Sequence, residues 1–194
     1  IKGVFAVDNP KQNYYQKNFL ESLCFFIKTA MAREKEKKHL ENLSYVDSLT
    51  YAQNRNHFNE YIEKNRRKEL YSVGVIYLDL NGLKEINDKM GHLAGDTLII
   101  SASYVLQEIF ADNSYRIGGD EFVVIEQDVL ESEFMSKYNK LLVRMKELEI
   151  SVATGYIWKE RCLNLSEILQ AADQKMYEDK KRYYSIAQKD RRRR

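Results

Sequence analysis

Residues 71–80 constrain the fold more than any other stretch, because they are rich in Val, Ile and Tyr and almost wholly apolar until Asp79. A run of this kind reads as a strand buried on both faces at the centre of a sheet. With side chains alternating in a period of two, Asp79 shares a face with Val73, Val75 and Tyr77, while Leu80 points the other way. A carboxylate at the end of a buried strand needs a partner, a proton or a cation. A structural capping role and a ligand role both meet that requirement.

Asp47-Ser48-Leu49-Thr50 carries cap and turn residues, which puts a domain boundary near Asp47. A helical pattern then covers 54–68 through Phe58, Tyr61 and Ile62. Beyond the strand, the Asn81-Gly82 turn leads to a short helical segment with Lys84, Asn87 and Asp88. Gly91-His92 and Gly95-Asp96 are expected to break the pattern before a helix over 97–110 with Leu98, Ala102, Val105 and Ile109 on its stripe. Residues 115–117 and 122–125 read as strands flanking a turn at Gly118 and Gly119. Two adjacent glycines supply the positive φ that a tight hairpin demands. A helix over 133–148, a strand over 149–158 containing Gly155 and a helix over 165–182 complete the order. Alternation of this kind predicts an α/β or α+β sheet with helices on its faces.

Ahead of Asp47, residues 1–8 read as a strand closed by the turn Asp8-Asn9-Pro10. From Phe19 the apolar positions Leu20, Leu23, Phe26, Ile27, Ala30 and Met31 recur at helical spacing, and the stripe extends through charged residues 33–41 to Leu40, Leu43 and Val46. So polar an outer face suits a connector that packs on another domain or pairs with its twin as a coiled coil. The abrupt start in a strand suggests continuation of a larger protein.

With 44% hydrophobic residues over 194 positions, the chain can build a full core. The net charge of +2 gives no overall field that would indicate nucleic acid or membrane as a partner. Arg191 to Arg194 is a local exception, read as a solvated tail before a nucleic-acid or lipid contact. Cys24 and Cys162 stand far apart without ligand-spaced neighbours, which argues against zinc or a disulfide framework and for reduced thiols in the cytoplasm. No apolar run approaches the roughly 20 residues of a membrane helix, and no export signal is expected.

Asp120 and Glu121 sit at the hairpin tip, either as a solvated turn or as functional carboxylates. If the tip neighbours the end of the central strand, Asp79 joins them, and three clustered anions need proton uptake or a divalent cation. An all-oxygen set selects Mg²⁺ or Mn²⁺, and magnesium in turn suggests a phosphate substrate. Asn81-Gly82 and Lys84 would donate to phosphate, while Asn87 and Asp96 could present amide and carboxylate groups to a base edge. In a regular strand Asp120 and Glu121 would face opposite ways, so at least one must lie in the turn if both approach a metal.

Gly118-Gly119-Asp120-Glu121-Phe122 resembles the signature of the GGDEF family of diguanylate cyclases. Asp47-Ser48-Leu49-Thr50 with Asn54-Arg55 is similar to the family's opening DxLT and NR motifs. Asp79-Leu80-Asn81-Gly82-Leu83-Lys84-Glu85-Ile86-Asn87-Asp88, with Gly91-His92 and Gly95-Asp96, resembles its second block. Residues 151–155, and Ala172-Asp173 with Met176-Tyr177 and Lys180, resemble its last strand and helix. The resemblance implies a central, mainly antiparallel sheet flanked by helices, as in nucleotidyl cyclases and the polymerase palm. It also implies condensation of two GTP molecules to cyclic di-GMP by a homodimer, with two Mg²⁺ or Mn²⁺ ions per site. On that basis Asp79 and Asp120 resemble metal ligands with the Leu80 carbonyl beside them, and Glu121 resembles a further ligand or the base for the 3′-hydroxyl. Asn87 and Asp96 would read guanine, Lys84 and Lys180 would hold phosphates, and Gly118 and Gly119 would line the GTP site.

The departures are specific. Ile109-Phe110-Ala111-Asp112 stands where the family has the RxxD motif of its product-inhibition site, and Arg182-Tyr183-Tyr184 replaces the usual GRN. Asn81 occupies the place of a second Asp in many members. The expected organisation is the end of a GAF-like sensor domain and a signalling helix over 1–46, the cyclase domain over 47–185 and a basic tail over 186–194.

Overall fold

The computed structural model describes residues 14–43 and 45–191, with side chains for 19–36 and 45–185. The chain divides into two compact units, Ile1–Leu43 and Ser44–Arg194. The strand expected over 1–8 lies outside the described residues, as do Arg192 to Arg194 of the basic tail.

The described residues of the first unit form helix α1 (Tyr14–Leu43). Phe19, Leu23, Phe26 and Met31, recurring at steps of four, three and five, are exposed along it.

In the second unit the elements are β1 (Gln53–Asn54), α2 (Arg55–Asn65), β2 (Leu70–Leu80), α3 (Leu83–Met90), α4 (His92–Phe110), β3 (Ser114–Arg116), β4 (Glu121–Glu126), α5 (Glu131–Glu147), β5 (Val152–Cys162) and α6 (Leu165–Arg191). One five-stranded sheet runs in the order β1-β3-β4-β2-β5. Among the described residues only the short β1–β3 pair is parallel, so the sheet is mainly antiparallel as expected. The apolar run of β2 is explained by its position, hydrogen-bonded to β4 on one side and β5 on the other.

The alternation within β2 separates two cores. Ile76, Leu78 and Leu80 join Phe122 and Val124 under Val105, Leu106, Phe134 and Leu141 of α4 and α5. Val73 and Val75 join Val123 and Ile125 under Phe58 of α2 and Leu165, Ile168, Leu169 and Ala172 of α6. Each Leu, Ile or Phe so buried contributes roughly 1.5–3 kcal/mol. A shift of one residue in the register of β2 would exchange the two sets and move Asp79 away from α6.

Several boundaries differ from the sequence reading. Helix α4 begins at His92 instead of Thr97, and Gly95 lies buried inside it. A Cβ at Gly95 would collide with the Asn87 side chain, so this glycine serves close helix packing and breaks nothing. The last strand starts at Val152, after Glu149 turns the chain with φ 56°, and it continues through polar residues to Cys162. Those residues pair with the start of β2, Arg161 opposite Tyr71 and Cys162 opposite Leu70, and a polar edge strand hides this extension from a hydrophobicity count. Helix α6 continues past Arg182 to Arg191.

Helix α6 approaches β5 most closely at Gly155, where a Cβ would overlap the backbone of Ala172, Lys175 and Met176. Backbone atoms cannot rotate aside as a side chain can. Gly155→Ala is therefore expected to destabilise the domain by about 1–3 kcal/mol, near the upper end. Urea unfolding reads this directly, and a midpoint equal to that of the unsubstituted chain would mean that α6 sits elsewhere.

Candidate active site

The ends of β2 and β4 meet with Asp79 directly opposite Glu121. Residues 121, 123 and 125 share the α6 face of β4, so both carboxylates start on the same side of the sheet. Asp120 lies in the preceding bend and its carbonyl accepts a 3.0 Å hydrogen bond from the Leu80 N–H. The conflict between strand alternation and a shared site is thus resolved: Glu121 opens the strand and Asp120 belongs to the loop.

The loop is not built as its sequence predicts. Neither Gly118 nor Gly119 adopts a positive φ. Instead the N–H groups of Ile117 and Gly118 both donate to the Glu121 carbonyl, at 3.0 and 3.3 Å. Gly118 is needed for space, because a Cβ there would lie 2.5 Å from Oε2 of Glu121. The Glu121 carboxylate therefore folds back over the glycine it follows.

Asp79 is 1% exposed, and its Oδ2 accepts from the Lys180 ammonium at 2.6 Å. Its Oδ1 is buried without a partner. Burial raises the Asp79 pKa, the nearby charges of Asp120 and Glu121 push the same way, and the Lys180 hydrogen bond opposes them. For Lys180, burial pulls downward, but the hydrogen bond and charge of Asp79 and the charge of Asp120 win, and its pKa rises. The two partners move in the same direction because Asp79 is fully desolvated while the Lys180 side chain keeps 30% of its exposure. Lys180, expected at phosphate, is here the counter-ion of Asp79.

Among the described residues, no group of three or more His, Cys, Asp and Glu side chains converges closely enough to hold one metal ion. The residues present nonetheless fit a hard divalent cation. Oδ1 of Asp79 is a desolvated anionic oxygen lacking a donor, and Asp120, Glu121 and the Leu80 carbonyl add only oxygens.

A second group of expected residues gathers on α3 and α4. Gly82, with φ 75°, turns the chain out of β2 and precedes the first turn of α3, on which Lys84 is exposed. Asn87 packs over Gly95, the residue before Asp96 on α4, and its Oδ1 is buried with no partner. Asn81 is tied to the start of β5, its N–H donating to the Ser151 carbonyl at 2.9 Å and its Nδ2 to Ser151 Oγ at 3.2 Å.

Residues 44–184 match the family model for "Diguanylate cyclase, GGDEF domain". The chain belongs to the GGDEF family. It is 33% identical over 190 residues to the signaling protein YkoW of Bacillus subtilis, covering 87% of this chain and 24% of that protein. To the probable diguanylate cyclase DgcI of Escherichia coli it is 27% identical over 184 residues, covering 93% of this chain and 40% of the relative. The chain thus spans well under half the length of either relative. Its fold is also that of the GGDEF domain of DgcB from Caulobacter crescentus, with a TM-score of 0.61 at 21% identity over 71% of this chain and 91% of that one.

One contact of this GGDEF domain was not singled out in the sequence. Arg116, two residues before the signature glycines, donates to Asp47 Oδ1 at 2.8 Å and to the Gly119 carbonyl at 2.9 Å. The same Asp47 oxygen accepts from Thr50 N–H at 2.9 Å and Thr50 Oγ at 2.7 Å. The opening DxLT turn and the signature loop are therefore held by one guanidinium, at the edge of an open cleft of about 270 Å³. An arginine beside the signature and an aspartate 69 residues earlier were the available signal, but their pairing is not written locally.

Where the family carries RxxD, Phe110 is 1% exposed and Ile109 packs against the core under α4. The first two residues of that stretch serve packing, while Ala111 and Asp112 are exposed.

Burial would raise the Asp47 pKa, but the hydrogen bonds from Arg116 and Thr50 outweigh it and hold the carboxyl below its usual value. A depressed folded-state pKa contributes stability above the unfolded pKa and loses it as pH falls through the folded value. The stability difference between the unsubstituted chain and Asp47→Asn is expected to be largest near neutrality and to shrink between about pH 5 and pH 3. Arg116→Met should cost about 1–3 kcal/mol at pH 7. Urea unfolding across this range checks both, and a pH-independent difference would contradict the assignment.

Proposed function

We propose that this domain is a diguanylate cyclase that condenses two GTP into cyclic di-GMP and releases two pyrophosphates, working as a cytoplasmic homodimer. The supporting observation is the buried Asp79 carboxylate, with an unpartnered oxygen, opposite Glu121 and beside Asp120. In the proposed reaction the 3′-hydroxyl of each GTP attacks the α-phosphorus of the other, the new P–O bond forming as the bond to pyrophosphate breaks. Asp79, Asp120, Glu121 and the Leu80 carbonyl would hold Mg²⁺ or Mn²⁺, two ions per site. Bound there, such ions lower the pKa of an attacking hydroxyl and neutralise charge on the transferred phosphoryl group.

The remaining roles belong to this chain's own groups. Glu121, folded against Gly118, accepts the 3′-hydroxyl proton. Asn87, packed over Gly95, and Asp96, the next residue of α4, read the donor and acceptor edge of guanine. Lys84 and Lys180 bind phosphates, and Gly118 and Gly119 keep the loop narrow where the nucleotide lies. Residues 1–46 would end a sensor and carry its signal, residues 47–185 would form the cyclase, and 186–194 a basic tail. The exposed apolar side chains of α1 offer a seam for pairing two copies.

A second reading, a GTP-binding or dimerisation module without turnover, is favoured by the Lys180–Asp79 pair and by Tyr183 and Tyr184 in place of the phosphate-binding GRN. Incubation with GTP and Mg²⁺, followed by chromatography of the nucleotides, separates the two. Cyclic di-GMP is expected, and Glu121→Gln should reduce its formation by about 10²–10⁴-fold. GTP bound but unconverted, even by dimers enforced through a fused coiled coil, would establish the second reading.

A further inference from the structure

Lys180 faces two ligands that cannot both hold it. Its ammonium lies 2.6 Å from Asp79 Oδ2, and that carboxylate is buried beneath it with Asp120 and Glu121 nearby. A phosphate that drew Lys180 away would leave Asp79 buried and uncompensated, next to a new anion. Removing one partner of a buried pair is strongly unfavourable for that reason. A cation that entered alone at the unpartnered Oδ1 would share one buried carboxylate with the ammonium on Oδ2, and the two positive charges would oppose each other. When cation and phosphate arrive together, the cation takes over Asp79 and Lys180 is released to the phosphate within reach of its flexible stem.

We infer that Lys180 exchanges Asp79 for phosphate, so that the site selects the complex of a divalent cation with a nucleoside triphosphate over either ion alone. The inference rests on the cyclase reading for the identity of the ligands, but it concerns binding and not turnover. It differs from a simple phosphate-binding role in assigning the lysine two opposite effects. Lys180 opposes cation binding in the absence of nucleotide and favours binding of the complex. By thermodynamic linkage each ligand must then strengthen the other through the same residue.

The geometry of α6 suits this exchange. Lys180 is half-buried on the helix that packs over Gly155, so its backbone is fixed while its four-carbon stem can swing. Among the described residues Asp79 is the only hydrogen-bond partner of its ammonium, so no third group anchors it.

The test is Mn²⁺ binding at pH 8, followed by electron paramagnetic resonance, with and without α,β-methylene-GTP, a triphosphate that cannot release pyrophosphate. Lys180→Met should bind Mn²⁺ alone about tenfold more tightly than the unsubstituted chain, and should bind the Mn²⁺–analogue complex about tenfold more weakly. Lys180→Arg, which keeps the positive charge beside Asp79, should leave binding of Mn²⁺ alone near its original level. If Lys180→Met does not fold, Lys180→Gln gives the same readout, and a larger rise of melting temperature on adding Mn²⁺ than in the unsubstituted chain supports the inference. Unchanged binding of Mn²⁺ alone would reduce Lys180 to a phosphate ligand and overturn the exchange. Weakened binding of both would make it a structural residue and overturn it equally. Opposite signs in a chain that forms no cyclic di-GMP would uphold the exchange while the cyclase reading fails.

Discussion

The burial of one carboxylate organises this domain. Asp79 ends the central strand at 1% exposure, and an isolated charge there would cost on the order of several kcal/mol. The sheet brings Lys180 of α6 against it, the turn before β4 brings Asp120, and the register of β2 against β4 brings Glu121. Each neighbour is costly or useful only because of Asp79. The ammonium offsets the desolvation, and the two further acids work against it.

That arrangement requires β2 to be central and correctly registered. Two cores secure it, one under α4 and α5 and the other under α2 and α6, each taking alternate residues of the same strand. Side-chain packing thus supplies the energy, and the strand end supplies the chemistry. The closeness of α6 to β5 at Gly155 matters to the site as well, since Lys180 lies about one turn beyond Met176 on the same helix.

A second layer of support surrounds the signature loop. Arg116 spans from Asp47 to the Gly119 carbonyl, so the position of the loop depends on the turn that opens the domain. On the far side Asn81 and Ser151 join the exits of β2 and the entry of β5. The family pattern is kept at Asp47 and Gly119, altered at Asn81, and abandoned where Ile109 and Phe110 pack against the core.

The sequence alone was enough to identify β2 as a central strand and to assign the face of Asp79, because a period of two is a local property and the run is long. It also identified the helical stripes of α2, α4, α5 and α6, and the ordered motifs that carry the family. It misread Gly118 and Gly119 as a positive-φ turn and Gly95 as a break, since a glycine retained for space looks the same as one retained for conformation. It did not contain the Lys180–Asp79 pair, 101 residues apart, or the Arg116–Asp47 pair. Ion pairs of that separation depend on strand register and on the approach of a helix to a sheet, which are settled by the packing of many side chains at once. Periodicity, spacing and the ordered motifs therefore determined which residues are candidates for the site, and tertiary structure decided which of them are neighbours and what charge each one meets.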